Sequence, residues 1–433
     1  MLIQRAALLD GRVVDIRVGA QITEMAPRLT PHPDDRVLDA AGGAVIPGLH
    51  DHHVHVHSAA AASDSVRVGT AEVSDRDDLA RVLADAEPGE DGWIRAVGYH
   101  EAVAGPLDRD RLDTLAPPVP VRIQHRSGIL WTLNSKGLAA VGLADHPDGR
   151  LRSADRTWSD ALQRRDTAID ELSNRLSAYG ITGITDATPD LDIGDIVKLD
   201  EVHRHGGMRQ RLHHLAPGKR ILHDDSLNLD ELTDWVARRH RDGAPVAVHC
   251  VTAAQLVITM AALRAAGGHP DDRIEHAAVV PDDCLGDLAD LGVTVVTQPN
   301  FVAERGDQYL TDVPADEHHQ LWRLASLLHA GIRVALSTDM PFGDGDPWAA
   351  MRAAVHRRTP SGAVLGEDER IGARTALELF QGTAAAPTAP RSVATGQPGD
   401  LCVLGVPPAE LLEDLDGGAV VATVIGGDLT YRR

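Results

Sequence analysis

Five histidines fall within eight positions of the segment PGLHDHHVHVHS: His50, His52, His53, His55 and His57. Side chains two apart in an extended strand project to the same side, roughly 7 Å apart. His53 and His55 can therefore converge on one ion from a strand end, whereas His50 and His52 share the opposite parity and His57 lies a pleat further on. Polar residues recur where later apolar runs begin or end: Lys219 opens KRILHDD, His249 closes VAVH, His276 closes RIEH and Asp339 closes VALSTD. Backbone carbonyls could satisfy any one such histidine, but that explanation strains to cover the set. Neutral imidazoles and carboxylates together make a ligand set for a divalent metal, zinc first, with iron, manganese or cobalt as alternatives. A bound ion lowers the pKa of its water to about 7. Asp339, as ligand or neighbour, is placed to take the proton as a polarised carbonyl is attacked and to pass it to a departing nitrogen. Amide or imide hydrolysis is the expected chemistry; ester or lactone hydrolysis and metal-assisted isomerisation stay open.

Such residues need a frame that gathers strand ends on one face, as a barrel of parallel strands does. From 47 to 385, strand-like runs alternate with helical patterns such as LTDWVARRH and LWRLASLLHA, which predicts βα units around a parallel sheet. The expected class is α/β, a TIM-like (β/α)8 barrel. Nine runs qualify as strands, among them WIRAVGYHE, VPVRIQHRS and the long QRLHHLAPGKRILHDD. The surplus is assigned to an insertion at about 60–175. Residues 1–46 and 386–433 carry short apolar runs between Gly, Pro and Asp turns, which predicts a composite β-sandwich built from both chain ends.

The chain has 433 residues and a net charge of −22, so nucleic acid and anionic membrane surfaces are poor partners. The apolar stretch AAQLVITMAALRAA at 253–266 is too short to span a bilayer and suits a buried helix. No export signal is read at the start. Cys250, Cys284 and Cys402 are scattered and odd in number, which fits a reducing cytoplasm better than a disulfide framework. The expected partner is a small-molecule substrate, with a homo-oligomer left open. Lysine occurs only at 136, 198 and 219, so any task that needs an amine falls to one of three residues.

The segments PGLHDHHVH, GYHE, LWTLNSKGL, GITGITDAT, RIEHA, TQPNF and QPGDLCVLGV resemble the amidohydrolase superfamily, specifically the family 3 branch that includes N-substituted formamide deformylases. The resemblance implies a barrel with a composite sandwich and one or two divalent ions. It implies His53 and His55 as first-strand ligands, His249 as the fifth-strand ligand, His276 as the sixth and Asp339 as the eighth. Lys219 is similar to a fourth-strand lysine that such enzymes carboxylate with carbon dioxide to bridge two metals, a role closed to arginine, which stays protonated. Otherwise His213 or His214 substitutes, or the site holds one metal. Two departures stand out: Gly128 occupies a place where many members carry histidine, and APGKRILHDDSLN differs from the usual fourth-strand pattern. Deaminases of this superfamily carry an acid close behind the fifth-strand histidine; here Cys250, Val251 and Thr252 follow His249. The expected activity is thus metal-dependent hydrolysis of a non-peptide C–N bond in an amide, formamide or cyclic amide. An aminohydrolase is the alternative, and a non-catalytic barrel scaffold is less favoured.

Substrate contacts are expected from His100 and Glu101 after one apolar run, and from His125, Arg126 and Trp131 in IQHRSGILW. Glu304, Arg305 and Tyr309 in QPNFVAERGDQYL complete the set. A guanidinium such as that of Arg126 would hold a carboxylate through two parallel bonds, or else pair with a surface acid. Asp51 is read either as an orienting partner for an imidazole or as a turn cap.

Overall fold

The computed structural model describes residues 1–153, 156–159, 161–162, 168–189 and 191–433, so part of the expected insertion lies outside the described residues. The chain forms two compact units, residues 1–56 with 169–433, and residues 57–168.

In the larger unit, strands β1 (Leu49–Val54), β2 (Ile181–Asp186) and β3 (Arg211–His214) form a parallel sheet in the order β3-β2-β1. Strands β4 (Lys219–Ile221), β5 (Ala247–Cys250), β6 (Arg273–His276), β7 (Thr294–Thr297) and β8 (Arg333–Leu336) form a second parallel sheet in chain order. The run QRLHHLAPGKRILHDD, expected as one strand, is two. Pro217 cannot donate to a ladder, and the chain turns there, with Gly218 N–H donating to Leu215 O at 2.7 Å. Among the described residues, no ladder joins β3 to β4 or β8 to β1. The hydrogen bonding thus gives two arcs where one closed ring was expected. Beyond the ends of β8 and β1, Asp339 N–H donates to His53 O at 3.0 Å and His55 N–H to Met340 O at 2.8 Å.

Every residue of β1 is buried. Parallel strands covered on both faces usually read as continuous apolar runs; this one carries three histidines and an aspartate instead. The helices between strands are locally well specified. Leu229–Arg241 starts at Asn228, whose side chain accepts from Glu231 N–H, with acids in the first turn and Arg238, Arg239, His240 and Arg241 in the last. That arrangement matches the capping and dipole preferences of a helix. The helix Ala253–Ala266 is capped by Thr252 and buries Leu256, Met260 and Leu263. No described helix is long and apolar enough to cross a membrane.

The chain ends build two four-stranded sheets. Ile22–Ala26, Val13–Val18, Leu2–Ala7 and Val37–Asp39 form one; Asp428–Arg432, Val420–Ile425, Leu401–Leu404 and Val45–Pro47 form the other. Ile3, Ile16, Val45, Val403 and Val424 meet in one core between them. Val45–Pro47 runs almost directly into β1, so these sheets anchor the strand that carries the histidine motif.

The smaller unit has its own sheet, ordered Arg150–Arg152, Leu130–Leu133, Val121–His125, Ile94–Tyr99, Val66–Arg67. It also has its own core around Leu79, Leu83, Ile94, Leu112 and Ile123. WIRAVGYHE and VPVRIQHRS are strands of this sheet, not of the parallel arcs.

Candidate metal centre

Strand parity places His53 at the end of β1 and His55 just past it, while Asp339 lies three residues beyond β8. One ligand atom from each lies within 4.8 Å of the others. His53 Nε2 is 3.5 Å and His55 Nε2 3.3 Å from Asp339 Oδ1. The His276 ring stands 4.8 Å from that of His53, and the His249 ring 4.4 Å from that of His276. Lys219 Nζ is 3.0 Å from His53 Nε2. All six residues expected from β1, β4, β5, β6 and β8 thus form one contiguous cluster. Its backbone is strained where it bends toward the centre: φ is +73° at His276, +48° at Ala277 and +58° at Asp339. Non-glycine residues persist in the left-handed region only where their surroundings enforce it. Here Asp339 O accepts from Phe342 N–H at 2.8 Å and Gly343 N–H at 3.1 Å.

Burial sets the protonation of the cluster. It holds His53 and His276 well below the ordinary imidazole range. Burial, then the charge of Lys219, pushes His249 down to about 3. The imidazoles of His53, His249 and His276 are therefore neutral near pH 7, with lone pairs free for ligation. Burial also lowers Lys219 to about 8, against the opposing pull of Glu275 and Asp339. Asp339 Oδ1 is buried without a hydrogen-bond partner, a costly state for a carboxylate oxygen that a cation would relieve. The donor set, the neutral imidazoles and this orphaned oxygen fit a divalent metal.

Glu275, unforeseen in the sequence, orients the first ligand. His53 Nδ1–H donates to Glu275 Oε2, which leaves Nε2 as the lone-pair nitrogen facing Asp339. Arg273 fixes the carboxylate through Nε at 2.7 Å and Nη2 at 3.0 Å, and Nη2 also donates to His52 O at 2.7 Å. The available signal was a carboxylate inside the short run RIEH of a buried parallel strand. Gln298 does the same for His276: its Oε1 lies 2.8 Å from His276 Nδ1 and its Nε2 donates to Ser337 Oγ at 2.8 Å.

Asp51 neither orients an imidazole nor caps a turn. It accepts from Thr338 N–H at 3.1 Å, from the Thr338 hydroxyl and from His53 N–H at 3.3 Å, tying the end of β8 to β1. Burial raises its carboxyl to about 7. Thr338→Val is expected to destabilise the fold by about 1–3 kcal/mol, because a buried acceptor loses its hydroxyl. Urea unfolding measures this, and an unchanged midpoint would refute the tie.

Asp186, at the end of β2, was likewise not foreseen. It accepts from Thr188 N–H at 2.9 Å and Thr188 Oγ1 at 2.7 Å, and Thr188 Oγ1 is 3.5 Å from His55 Nδ1. His214 Nε2 pairs with Asp200 at 3.0 Å, and His213 lines cavities at the opposite ends of the strands. Glu304 accepts from Asn300 Nδ2 at 2.8 Å and Asp344 N–H at 2.9 Å, and Arg305 donates to Phe342 O. These two hold the loop that sets Phe342 edge-on against His55, with ring centroids 5.0 Å apart. Tyr309 packs 6.4 Å from the ring of Trp322. Cys250, behind His249, is buried with its Sγ 3.3 Å from Thr259 Oγ1, and burial raises its thiol to about 12.

In the smaller unit, His100, Glu101 and His125 gather: Glu101 Oε2 is 3.1 Å from His125 Nε2 and 3.9 Å from His100 Nε2. His100 Nδ1 accepts from Ala102 N–H at 3.2 Å and His125 Nδ1 from Ser127 N–H at 3.1 Å, which leaves His125 Nε2–H to donate to the Glu101 carboxylate. Arg126 N–H donates to Tyr99 O at 2.9 Å. Trp131, expected at substrate, is instead buried in a core with Trp93, Leu133 and Trp158. The guanidinium of Arg95 lies 5.3 Å from its ring, and that of Arg122 5.5 Å. Aromatic bulk was needed there for packing.

A model described as the amidohydrolase family matches residues 36–431. The chain is 26% identical to the N-substituted formamide deformylase of Arthrobacter pascens, over 99% of this chain and 95% of that one. It is 26% identical to the putative amidohydrolase YtcJ of Bacillus subtilis over 49% of this chain and 41% of the other. Among solved structures, an uncharacterized metal-dependent hydrolase from Pyrococcus horikoshii superposes with a TM-score of 0.73. It is 18% identical, with 95% of this chain and 98% of that one covered, a likeness of fold.

Proposed function

The chain belongs to the amidohydrolase family, and from that membership we propose that it hydrolyses a non-peptide C–N bond in an amide, formamide or cyclic amide of a small molecule. The observation that carries this reading is the convergence of His53, His55 and Asp339 within 4.8 Å around a buried carboxylate oxygen that lacks a hydrogen-bond partner among the described residues. We read the two arcs as a (β/α)8, TIM-like barrel over 47–385 with an insertion at about 60–175, and 1–46 with 386–433 as its sandwich. His53, His55, His249, His276 and Asp339 are the proposed ligands, zinc the first choice of metal and iron, manganese or cobalt the alternatives. When bound, such an ion acts as a Lewis acid and brings the pKa of water to about 7.

The side chains do the rest. Glu275 holds His53 in the ligating tautomer. Asp339 takes a proton at its carboxylate and returns it to the leaving nitrogen. Lys219 is the proposed carboxylation site. An ammonium 3.0 Å from His53 Nε2 would oppose a cation at that nitrogen, whereas a carbamate at Nζ turns a repelling charge into an attracting one. Lys219→Ala is expected to lower the metal content from two ions per chain to one or none, and kcat by on the order of a hundredfold. Full metal content with unchanged kcat would refute the bridge.

Metal-loaded protein assayed on N-substituted formamides, simple amides and cyclic amides is expected to release an acid and an amine, or the ring-opened acid, and to stop on chelation. Release of ammonia from amino-heterocycles with no amide turnover would favour an aminohydrolase instead.

A further inference from the structure

At the amino ends of β4 to β8, the ends away from His249, His276 and Asp339, lies a cavity of about 480 Å³ roofed by residues 384–388. That volume is in the range of small-molecule sites, roughly 300–1,000 Å³. Arg239, Arg273 and Arg333 line it, with Asp271 the one carboxylate in the lining. Three arginines thus line one cavity in a chain of net charge −22. Of these, Arg273 is matched by Glu275 at 2.7 Å. Among the described residues, Arg333 has only backbone carbonyls as partners, Pro270 O at 2.6 Å and Gly292 O. Arg239 Nε is buried with no hydrogen-bond partner among the described residues, a state that costs stability unless a ligand supplies the acceptor. Arg239 packs close against the chain at Gly218: a Cβ there would lie 3.2 Å from Arg239 Nη2 and 3.0 Å from Pro245 O.

We infer that this cavity binds a small oxyanion, a carboxylate or phosphate group on a metabolite-sized molecule, with Arg239 and Arg333 as its contacts. A guanidinium fork matches two such oxygens in a way that no other side chain does. The inference does not depend on the hydrolase reading, because none of these arginines is a proposed ligand.

Calorimetric titration of the full chain with inorganic phosphate and, separately, with malonate in 0.1 M salt tests it. At least one anion is expected to bind with a Kd below about 5 mM, weakened at least tenfold in both Arg239→Gln and Arg333→Gln. Tighter binding of phosphate identifies a phosphate ligand; tighter malonate binding, a carboxylate ligand. Arg333 is exposed, so its variant keeps the test informative if Arg239→Gln folds poorly. No binding below that limit overturns the inference. So does binding that both variants retain unchanged, since that would place the anion elsewhere, the metal centre included.

Discussion

Asp339→Asn is expected to lower kcat by roughly 10³-fold or more, the scale of losing a positioned general base, with little loss of folded protein. The substitution keeps the shape of the side chain but removes the charge and the basic oxygen that lies 3.5 and 3.3 Å from the two imidazoles. The backbone at this position has φ +58°, a conformation that asparagine adopts more readily than most residues. Lost activity therefore reports chemistry rather than collapse of the turn. Steady-state kinetics beside thermal melting separates the two, and a kcat within tenfold of wild type would remove Asp339 from the mechanism.

Glu275→Ala is expected to cost about 3–5 kcal/mol of stability, because it leaves the guanidinium of Arg273 buried and uncompensated. Glu275 is fully buried and Arg273 nearly so. The same change frees His53 Nδ1, so metal affinity is expected to fall by about 10- to 100-fold. Glu275→Gln keeps an acceptor near His53 while removing the charge. It is therefore expected to recover part of the metal affinity and little of the stability. Denaturant unfolding and metal titration read the two effects separately. A loss of under about 1 kcal/mol with unchanged metal affinity would show that the Arg273–Glu275–His53 chain has no such role.

Most of the residues that meet at the centre were legible because each ends an apolar run, and parallel strands deliver such ends to one face; Lys219 opens its run and reaches the centre through its long side chain. Glu275 and Gln298 were not, since what identifies them is a bond to a ring nitrogen from a neighbouring strand, and spacing carries no trace of that. Asp51 was misread for the same reason: its partner, Thr338, lies far along the chain, and only the meeting of β1 and β8 brings them together. The run around Pro217 was expected as one strand although it carried its own break, the missing N–H of proline. Trp131 was expected at substrate because it sits beside polar residues in sequence, whereas its indole is buried between Trp158 and two arginines. Turn residues at both ends marked short strands there; the strand pairings were not readable, because register depends on partners across the chain.

Elemental analysis of the purified chain, beside a His53→Ala/His55→Ala variant, tests the central claim most directly. After reconstitution with zinc, iron, manganese or cobalt and removal of free metal, the wild type is expected to retain at least one ion per chain, and the double variant to lose it while remaining folded. A wild type that retains no metal, or a variant that holds the full wild-type complement, would contradict the account.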